Sequence, residues 1–148
     1  MKVLLTGDRG YIGTVMKRYL RMQGHTVMGM DTNFFADCTL TQSSLDMDET
    51  HVDKDIRDVS VDDLIGYDAV IHLAGLSNDQ MGNIEEYLTY EINSDASIQL
   101  AIKSKHAGVK KFLFASSCSV YGSSNELMYE TSPLNPLTTY AKAKATAE

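Results

Sequence analysis

The sequence has only two cysteines, Cys38 and Cys118, among its 148 residues. They form neither a disulfide framework nor a C-x-x-C pair, as is typical of a reducing compartment, so we expect a cytoplasmic location. No apolar run approaches the ~20 residues that a membrane-spanning helix needs. A strand pattern occupies the first six residues, where a secretory leader would need a charged start and an apolar middle. The sequence also contains no metal-ligand spacing.

Positive charge is scarce as well. Lysine and arginine number 13 against 20 acidic residues, which gives a formal net charge of −7. A protein that binds a phosphate backbone needs a basic face, so this balance argues against a nucleic-acid partner. With 43% hydrophobic residues the chain can build a core. We therefore expect residues 1–148 to form one folded domain, neither disordered nor fibrous.

Strand-like and helix-like segments alternate along the chain, which predicts an α/β fold with a parallel sheet and crossover helices. Five strands are expected, at residues 2–6, 25–31, within 51–58, at 68–75 and at 110–117. Helices are expected at residues 11–24, 61–64, 83–106 and from Thr139 onward. Residues 32–50 are polar and irregular, which indicates an unusually long loop or a small insertion. A second loop is expected at residues 118–137.

The segment TGDRGYIG, residues 6–13, places Gly7, Gly10 and Gly13 at three-residue intervals between the first strand and the first helix. Glycine lets a backbone turn tightly and approach a pyrophosphate closely. The helix start offers N–H groups and the positive end of its dipole to phosphates. Such turns also occur for packing alone, but the position after the first strand favours a dinucleotide site.

Asp31 ends the second predicted strand, 18 residues after Gly13. Its carboxylate can accept hydrogen bonds from the adenosine ribose hydroxyls and would repel a 2′-phosphate. The next residues are Thr32 and Asn33, not arginine. This pattern indicates NAD as the cofactor, not NADP; the alternative is a solvated aspartate at a strand end.

Five motifs in a fixed order carry a resemblance to a known family. They are TGDRGYIG (6–13), DIRD (55–58), HLAG (72–75), ASSCSVYG (115–122) and YAKAK (140–144). They resemble the glycine loop, the adenine-binding stretch, the HLAA strand end, the serine-bearing strand exit and the YxxxK motif of the extended short-chain dehydrogenase/reductases. Within that superfamily the chain is most similar to the NAD-dependent epimerase/dehydratase family, which acts on nucleotide sugars. The resemblance covers the whole chain and implies a Rossmann-type, doubly wound parallel sheet with helices on both faces.

The resemblance also implies the residues that bind NAD. They are Gly7, Gly10, Tyr11, Ile12, Gly13, Asp31, Asn33, Asp55, Ile56, Leu73, Ala74, Gly75 and Lys144. Asp55 would meet the adenine through its carboxylate and Ile56 through its backbone, although Asp55 could instead be a turn residue. Gly75 stands where the family usually has alanine.

Tyr140 and Lys144 are four residues apart in a predicted helix and therefore share one face. A tyrosine with a pKa near 10 is a poor base at neutral pH, and a nearby ammonium lowers that pKa. The resemblance implies that Tyr140 takes a proton from a sugar hydroxyl while hydride passes to NAD, and that Lys144 donates to the nicotinamide ribose. It assigns the substrate oxygen to Ser117, with Ser116 and Ser119 as alternatives and turn chemistry as the competing explanation.

Four further residues need an interpretation. Cys118 and Ser119 stand where the family's 4,6-dehydratases carry an Asp–Glu pair, which favours epimerase or ketoreductase chemistry over loss of water. Asn93 lies in the middle of a predicted helix, where it either braces the active-site backbone, as in the family, or is exposed. His72 is expected to be a core residue with its polar atoms satisfied.

The leading expectation is an NAD-dependent nucleotide-sugar epimerase that oxidises a sugar carbon transiently, typically C4. The alternatives are a ketoreductase or dehydratase of the same superfamily, and an NAD(P)-binding redox sensor or other non-catalytic module. In the family the chain continues after YxxxK with another strand and a substrate domain. We therefore expect these residues to be the cofactor half of a larger enzyme, weakly active or inactive alone. By the same resemblance, a homodimer is expected through helix 83–106 and the last helix.

Overall fold

The computed structural model describes residues 1–35, 50–77 and 84–148. Cys38 and most of the predicted loop at 32–50 lie outside the described residues, as does Asn83, the expected start of the long helix. In the described ranges, no helix is both long enough and apolar enough to cross a lipid bilayer.

The chain divides into two compact units. Unit 1 consists of Met1–Ala74 and Leu100–Phe114, and unit 2 consists of Gly75–Gln99 and Ala115–Glu148. The expected cofactor loop falls in unit 1, and the expected Tyr–Lys pair falls in unit 2.

Unit 1 is built on a five-stranded parallel sheet. Its strands are β1 (Lys2–Thr6), β2 (Thr26–Asp31), β3 (His51–Asp53), β4 (Ala69–His72) and β5 (Lys111–Phe114). They are ordered β3-β2-β1-β4-β5, and every neighbouring pair is parallel. This is the order of a doubly wound sheet, in which the direction of winding reverses between β1 and β4. The predicted fold class is therefore confirmed.

Apolar side chains alternate along β1 and form a core on each face of the sheet. Leu4 belongs to one cluster, with Met30, Val59, Leu64, Val70 and Leu100. Its neighbours Val3 and Leu5 belong to the other, with Val27 and Ala69. The period of two along a strand sends adjacent residues to opposite faces, so the sheet is covered on both sides.

Helix α1 (Tyr11–Met22) covers one of these faces and agrees with the helix expected at residues 11–24. Met16 and Leu20 pack against the second cluster. Other apolar residues of the same helix, among them Val15 and Tyr19, are exposed, while Lys17 is buried. The apolar residues of this helix therefore do not all face the core, and its buried face includes a lysine.

The helical part of unit 2 departs from a regular α-helix. The predicted helix at 83–106 is found as α2 (Glu86–Tyr90), a π-helical turn (Glu91–Ala96) and α3 (Ser97–His106). These follow each other without interruption, and the residues after Gln99 belong to unit 1. The π turn was not predicted.

The last helix, α4 (Thr139–Ala147), begins where the sequence predicts. The Thr138 hydroxyl caps it by accepting a hydrogen bond from the Ala141 N–H at 3.1 Å. Elsewhere the short helix expected at 61–64 is a 3₁₀ turn, Asp62–Leu64, and two more such turns span Ile56–Asp58 and Cys118–Tyr121.

Candidate functional site

The glycine loop joins β1 to α1 in unit 1, at the edge where the winding of the sheet reverses. Gly7 has a φ of +75°, a conformation that favours glycine. Its N–H donates to the Met30 carbonyl oxygen at 2.7 Å. A Cβ on Gly7 would lie 2.7 Å from the Ala74 nitrogen and 2.9 Å from the Leu73 carbonyl carbon. The loop therefore packs directly on the end of β4, which brings three of the expected cofactor residues together.

The first turn of α1 also packs closely against the glycine loop. A Cβ on Gly13 would lie 2.0 Å from the Gly7 oxygen, whereas one on Gly10 would lie 3.3 Å from the same atom. First-turn N–H groups have no acceptor within their helix, so they are available to a phosphate. Tyr11 and Ile12, also expected to contact the cofactor, expose their side chains in this turn.

Replacing Gly13 by alanine should destabilise unit 1 by about 3 kcal/mol, the upper end of the usual overpacking range, because the clashing atoms belong to the backbone. The loop would also lose the shape on which NAD affinity is proposed to depend. Urea unfolding and titration with NAD measure the two effects. Gly10→Ala is the matched control and should lower the free energy of unfolding by less. Equal losses of stability in the two variants would contradict the close backbone contact at Gly13.

Asp31, the last residue of β2, lies beside the glycine loop. Its carboxylate accepts hydrogen bonds from the Arg9 N–H at 3.3 Å and the Asn33 N–H at 2.9 Å. Asn33 has a φ of +57°, a left-handed conformation that asparagine tolerates. The backbone thus holds the carboxylate in one orientation, and ribose recognition by Asp31 stays a prediction.

Asp55 and Ile56 are the residues expected at the adenine. Asp55 caps the turn Ile56–Asp58, where it accepts from the Arg57 N–H at 2.9 Å and pairs with the guanidinium at 2.7 Å. The hydrogen bonds from Arg57 hold the pKa of Asp55 below its ordinary value. Ile56 is buried. Asp55 therefore does act as a turn residue, and its contact with adenine stays a prediction.

Two observations in unit 1 concern residues outside the expected cofactor set. His72 is fully buried, with Nδ1 2.6 Å from the Thr6 hydroxyl and its ring beside Phe112 and Phe114, so the core assignment is confirmed.

Sequence reasoning missed the burial of Asp8 within the glycine loop itself. An acidic residue among loop glycines is the signal that could have revealed it.

Lys144 and Tyr140 lie on α4 in unit 2, with the lysine Nζ 5.9 Å from the centre of the tyrosine ring. Lys144 is only 4% exposed, and its Nζ donates to the Ala115 carbonyl oxygen at 3.0 Å. Burial lowers the pKa of Lys144 from 10.5 to about 8. At pH 7 the amine is still protonated in roughly nine-tenths of the molecules, and an ammonium near a phenol favours the phenolate.

Ser117 ends the segment that carries Ala115 and caps the turn Cys118–Tyr121. Its hydroxyl oxygen accepts from the Ser119 N–H at 3.2 Å and from the Ser119 hydroxyl at 2.8 Å. Ser117 thus performs turn chemistry, and in this arrangement its own proton can still be donated to another oxygen. The Ser116 hydroxyl instead donates to the Glu148 carboxylate.

Asn93, in the π turn, is fully buried, so the alternative of an exposed asparagine is wrong. Its Oδ1 accepts from the Leu76 N–H and its Nδ2 donates to the Leu76 carbonyl oxygen, both at 2.8 Å. Leu76 follows Gly75, where an added Cβ would lie 2.7 Å from Asn93 Oδ1 and 3.8 Å from Lys144 Nζ. Asn93 therefore braces the backbone beside the lysine.

Comparison with known proteins covers both units. The sequence is 34% identical over 142 residues to a UDP-glucose 4-epimerase of Klebsiella pneumoniae, a match that spans 87% of this chain and 98% of that protein. It is 30% identical to a UDP-glucose 4-epimerase of Lactobacillus helveticus, over 100% of this chain but 45% of that protein. The solved structure of MoeE5 in complex with UDP-glucose and NAD matches with a TM-score of 0.86 and 30% identity, over 99% of this chain and 46% of that one. Against these last two relatives the chain spans about half of their length.

The cofactor prediction is confirmed, because the family is NAD-dependent by its description and the matched MoeE5 structure holds NAD. The model of that family matches residues 3–148, nearly the whole sequence. The chain belongs to the NAD dependent epimerase/dehydratase family.

Proposed function

We propose that this chain supplies the cofactor-binding and proton-transfer part of an NAD-dependent nucleotide-sugar epimerase. The observation that carries the proposal is Lys144, a buried amine with a pKa lowered to about 8, beside Tyr140 on one helix. A buried lysine is costly to a fold, and this one lies next to a tyrosine that needs a cation to act as a base.

The residues of unit 1 fit the adenosine diphosphate part of NAD. The backbone of Gly7, Gly10 and Gly13 and the first-turn N–H groups of α1 would bind the pyrophosphate. Asp31, held by two backbone N–H groups, would accept from the ribose hydroxyls. When bound, NAD supplies the acceptor for a hydride from the sugar and returns it afterwards.

The residues of unit 2 fit the proton transfer. Tyr140 would take the proton of a sugar hydroxyl at the oxidised carbon, typically C4, and return it later. Lys144 would lower the pKa of Tyr140 and donate to the nicotinamide ribose. Ser117 would donate to the sugar oxygen and keep it in place. Asn93 would hold the backbone at Leu76.

Epimerisation is favoured over dehydration by the residues at one short turn. Cys118 and Ser119 provide no carboxylate that could act as an acid or base in the loss of water. UDP-hexoses are the proposed substrate class, since two of the similar proteins are UDP-glucose 4-epimerases and MoeE5 binds UDP-glucose.

The test uses the product of the complete reading frame, incubated with NAD and a panel of UDP-, GDP-, dTDP- and CDP-sugars. NMR should show inversion at one sugar carbon, and absorbance should show no net formation of NADH. Net reduction of a keto sugar would indicate a ketoreductase, and loss of water a dehydratase. Binding of NAD without any hydride transfer would support a redox-sensing module and contradict the enzyme.

A homodimer through helix 83–106 and α4 stays a prediction of the family resemblance. Ile84 and Tyr87, near the start of that helix, are 78% and 81% exposed. In the proposed dimer these two apolar side chains would lie in the interface.

A further inference from the structure

A buried charged group lies within unit 1, beneath the glycine loop. Asp8, the second residue of the loop after β1, is 2% exposed. Its carboxylate accepts a hydrogen bond from Lys17 Nζ of α1 at 2.7 Å, and both carboxylate oxygens lie within 3.1 Å of His51 Nδ1 of β3. A buried carboxylate needs such partners, because an uncompensated charge would be costly.

His51 extends this group to the edge of the sheet. Its side chain is 4% exposed, and its Nε2 lies 2.9 Å from Asp53 Oδ1. Both ring nitrogens thus face carboxylate oxygens, and both can donate only in the imidazolium form. With His51 as an imidazolium, basic and acidic side chains alternate in the order Lys17, Asp8, His51, Asp53. They come from α1, the glycine loop and β3.

Strand β2 leaves space for this group at a glycine. Gly29 is buried in the interior of the strand and is paired in register with His51. A Cβ there would lie 1.8 Å from Asp8 Oδ2 and 2.7 Å from Lys17 Nζ. A glycine weakens a strand interior and often marks a close approach by another group. Here the approaching group is the Asp8 carboxylate.

Asp8 lies between two residues whose N–H groups donate hydrogen bonds to the end of β2. On one side the Gly7 N–H donates to Met30, and on the other the Arg9 N–H donates to Asp31 Oδ2. Fixing the Asp8 side chain therefore fixes the Arg9 N–H relative to the carboxylate of Asp31. A shift of the loop would change the orientation of Asp31.

We propose that Asp8, held by Lys17 and His51, is a positioning residue that sets the distance from the glycine loop to Asp31 and so the affinity and selectivity for NAD. It acts through the Arg9 N–H and Asp31 without touching the cofactor. The proposal rests on the proposed function, in which Asp31 receives the ribose of NAD.

The test measures the Kd of the complete protein for NAD and for NADP in a set of variants, with folding checked by circular dichroism. His51→Leu should raise the Kd for NAD by about tenfold, the effect of 1.4 kcal/mol, and lower the preference for NAD over NADP. His51→Gln keeps a hydrogen-bond donor toward Asp8. It should restore most of the affinity for NAD and most of the preference for NAD over NADP. Asp8→Ala/Lys17→Met removes both charges together and should cause at least the same loss. Lys110→Met, at an exposed lysine of unit 1, should change nothing.

The outcomes separate this proposal from the proposed function. Folded variants with the Kd and the NAD preference of wild type would overturn the positioning role alone. A wild-type protein that binds no NAD would overturn both. If the double variant does not fold, His51→Leu and its partial restoration by His51→Gln decide the question, because a merely structural histidine would leave the NADP/NAD ratio unchanged.

Discussion

Replacing Tyr140 by phenylalanine should lower the epimerisation rate of the complete protein by about 10²–10⁴-fold, the range for loss of a general acid–base group. The change removes one oxygen atom and keeps the ring beside the Lys144 ammonium. NAD affinity should stay near that of wild type, because the residues assigned to the adenosine diphosphate lie in unit 1. The measurement is the initial rate of sugar inversion by NMR, beside an NAD titration.

Tyr129→Phe is the matched control for this variant. Tyr129 lies in unit 2, is 59% exposed and has no proposed role, so its loss of a hydroxyl should leave the rate unchanged. A Tyr140→Phe protein that inverts sugars at nearly the wild-type rate would contradict Tyr140 as the base. If both variants lost activity to the same degree, the effect would belong to folding and not to chemistry.

Replacing Lys144 by methionine should abolish most of the activity and at the same time stabilise the protein at pH 7. Burial lowers the pKa of Lys144 from 10.5 to about 8, a gap that corresponds to about 3 kcal/mol against folding below pH 8. Methionine removes this cost. It also removes the hydrogen bond to the half-buried Ala115 carbonyl oxygen, and an acceptor that loses its partner there costs about 1–3 kcal/mol. The expected net gain at pH 7 is about 1 kcal/mol.

The sign of this effect should reverse in alkali. Between pH 8 and 10.5 the unfolded chain binds more protons at Lys144 than the folded chain, so wild-type stability at this site rises with pH. Above that window the neutral amine still donates to Ala115, and the methionine variant should be the less stable protein. Urea unfolding without NAD from pH 7 to 10.5 measures the crossover. Lys142→Met changes an exposed lysine of the same helix, and its stability curve should not cross that of wild type. Parallel stability curves for wild type and Lys144→Met would contradict the desolvated lysine.

The sequence predicts where β1, β2, β4 and β5 lie, because each falls in a short, mainly apolar run bounded by glycine or polar residues. Strand β3 is only three residues long, His51–Asp53. Strands β4 and β5 were nevertheless predicted too long, at 68–75 and 110–117. The ladder between them pairs only Ala69–His72 with Lys111–Phe114. The Leu73 N–H still donates to the Thr6 carbonyl oxygen, but the residues beyond it and those after Phe114 are not part of the strands. Composition alone does not show where such a ladder ends.

The candidate site was predictable where it follows a motif and not where distant residues meet. Gly7 and Lys144 stand at positions defined by local spacing. The group around Asp8 combines residues 8, 17, 29 and 51, which are unrelated by any helical or strand period. The family resemblance gave bracing by Asn93 as one of two alternatives. The π turn that carries Asn93 is a local change of helix register that the apolar pattern does not encode.

The close approach of Gly75 to Asn93 constrains how these two positions can vary during evolution. A methyl group at position 75 would lie 2.7 Å from the Asn93 Oδ1 atom, which is itself committed to the Leu76 N–H. A protein with alanine at this place needs a displaced amide or a different backbone path. Positions 75 and 93 should therefore covary, and a Gly75→Ala change would be tolerated only on a genetic background that has already moved the asparagine.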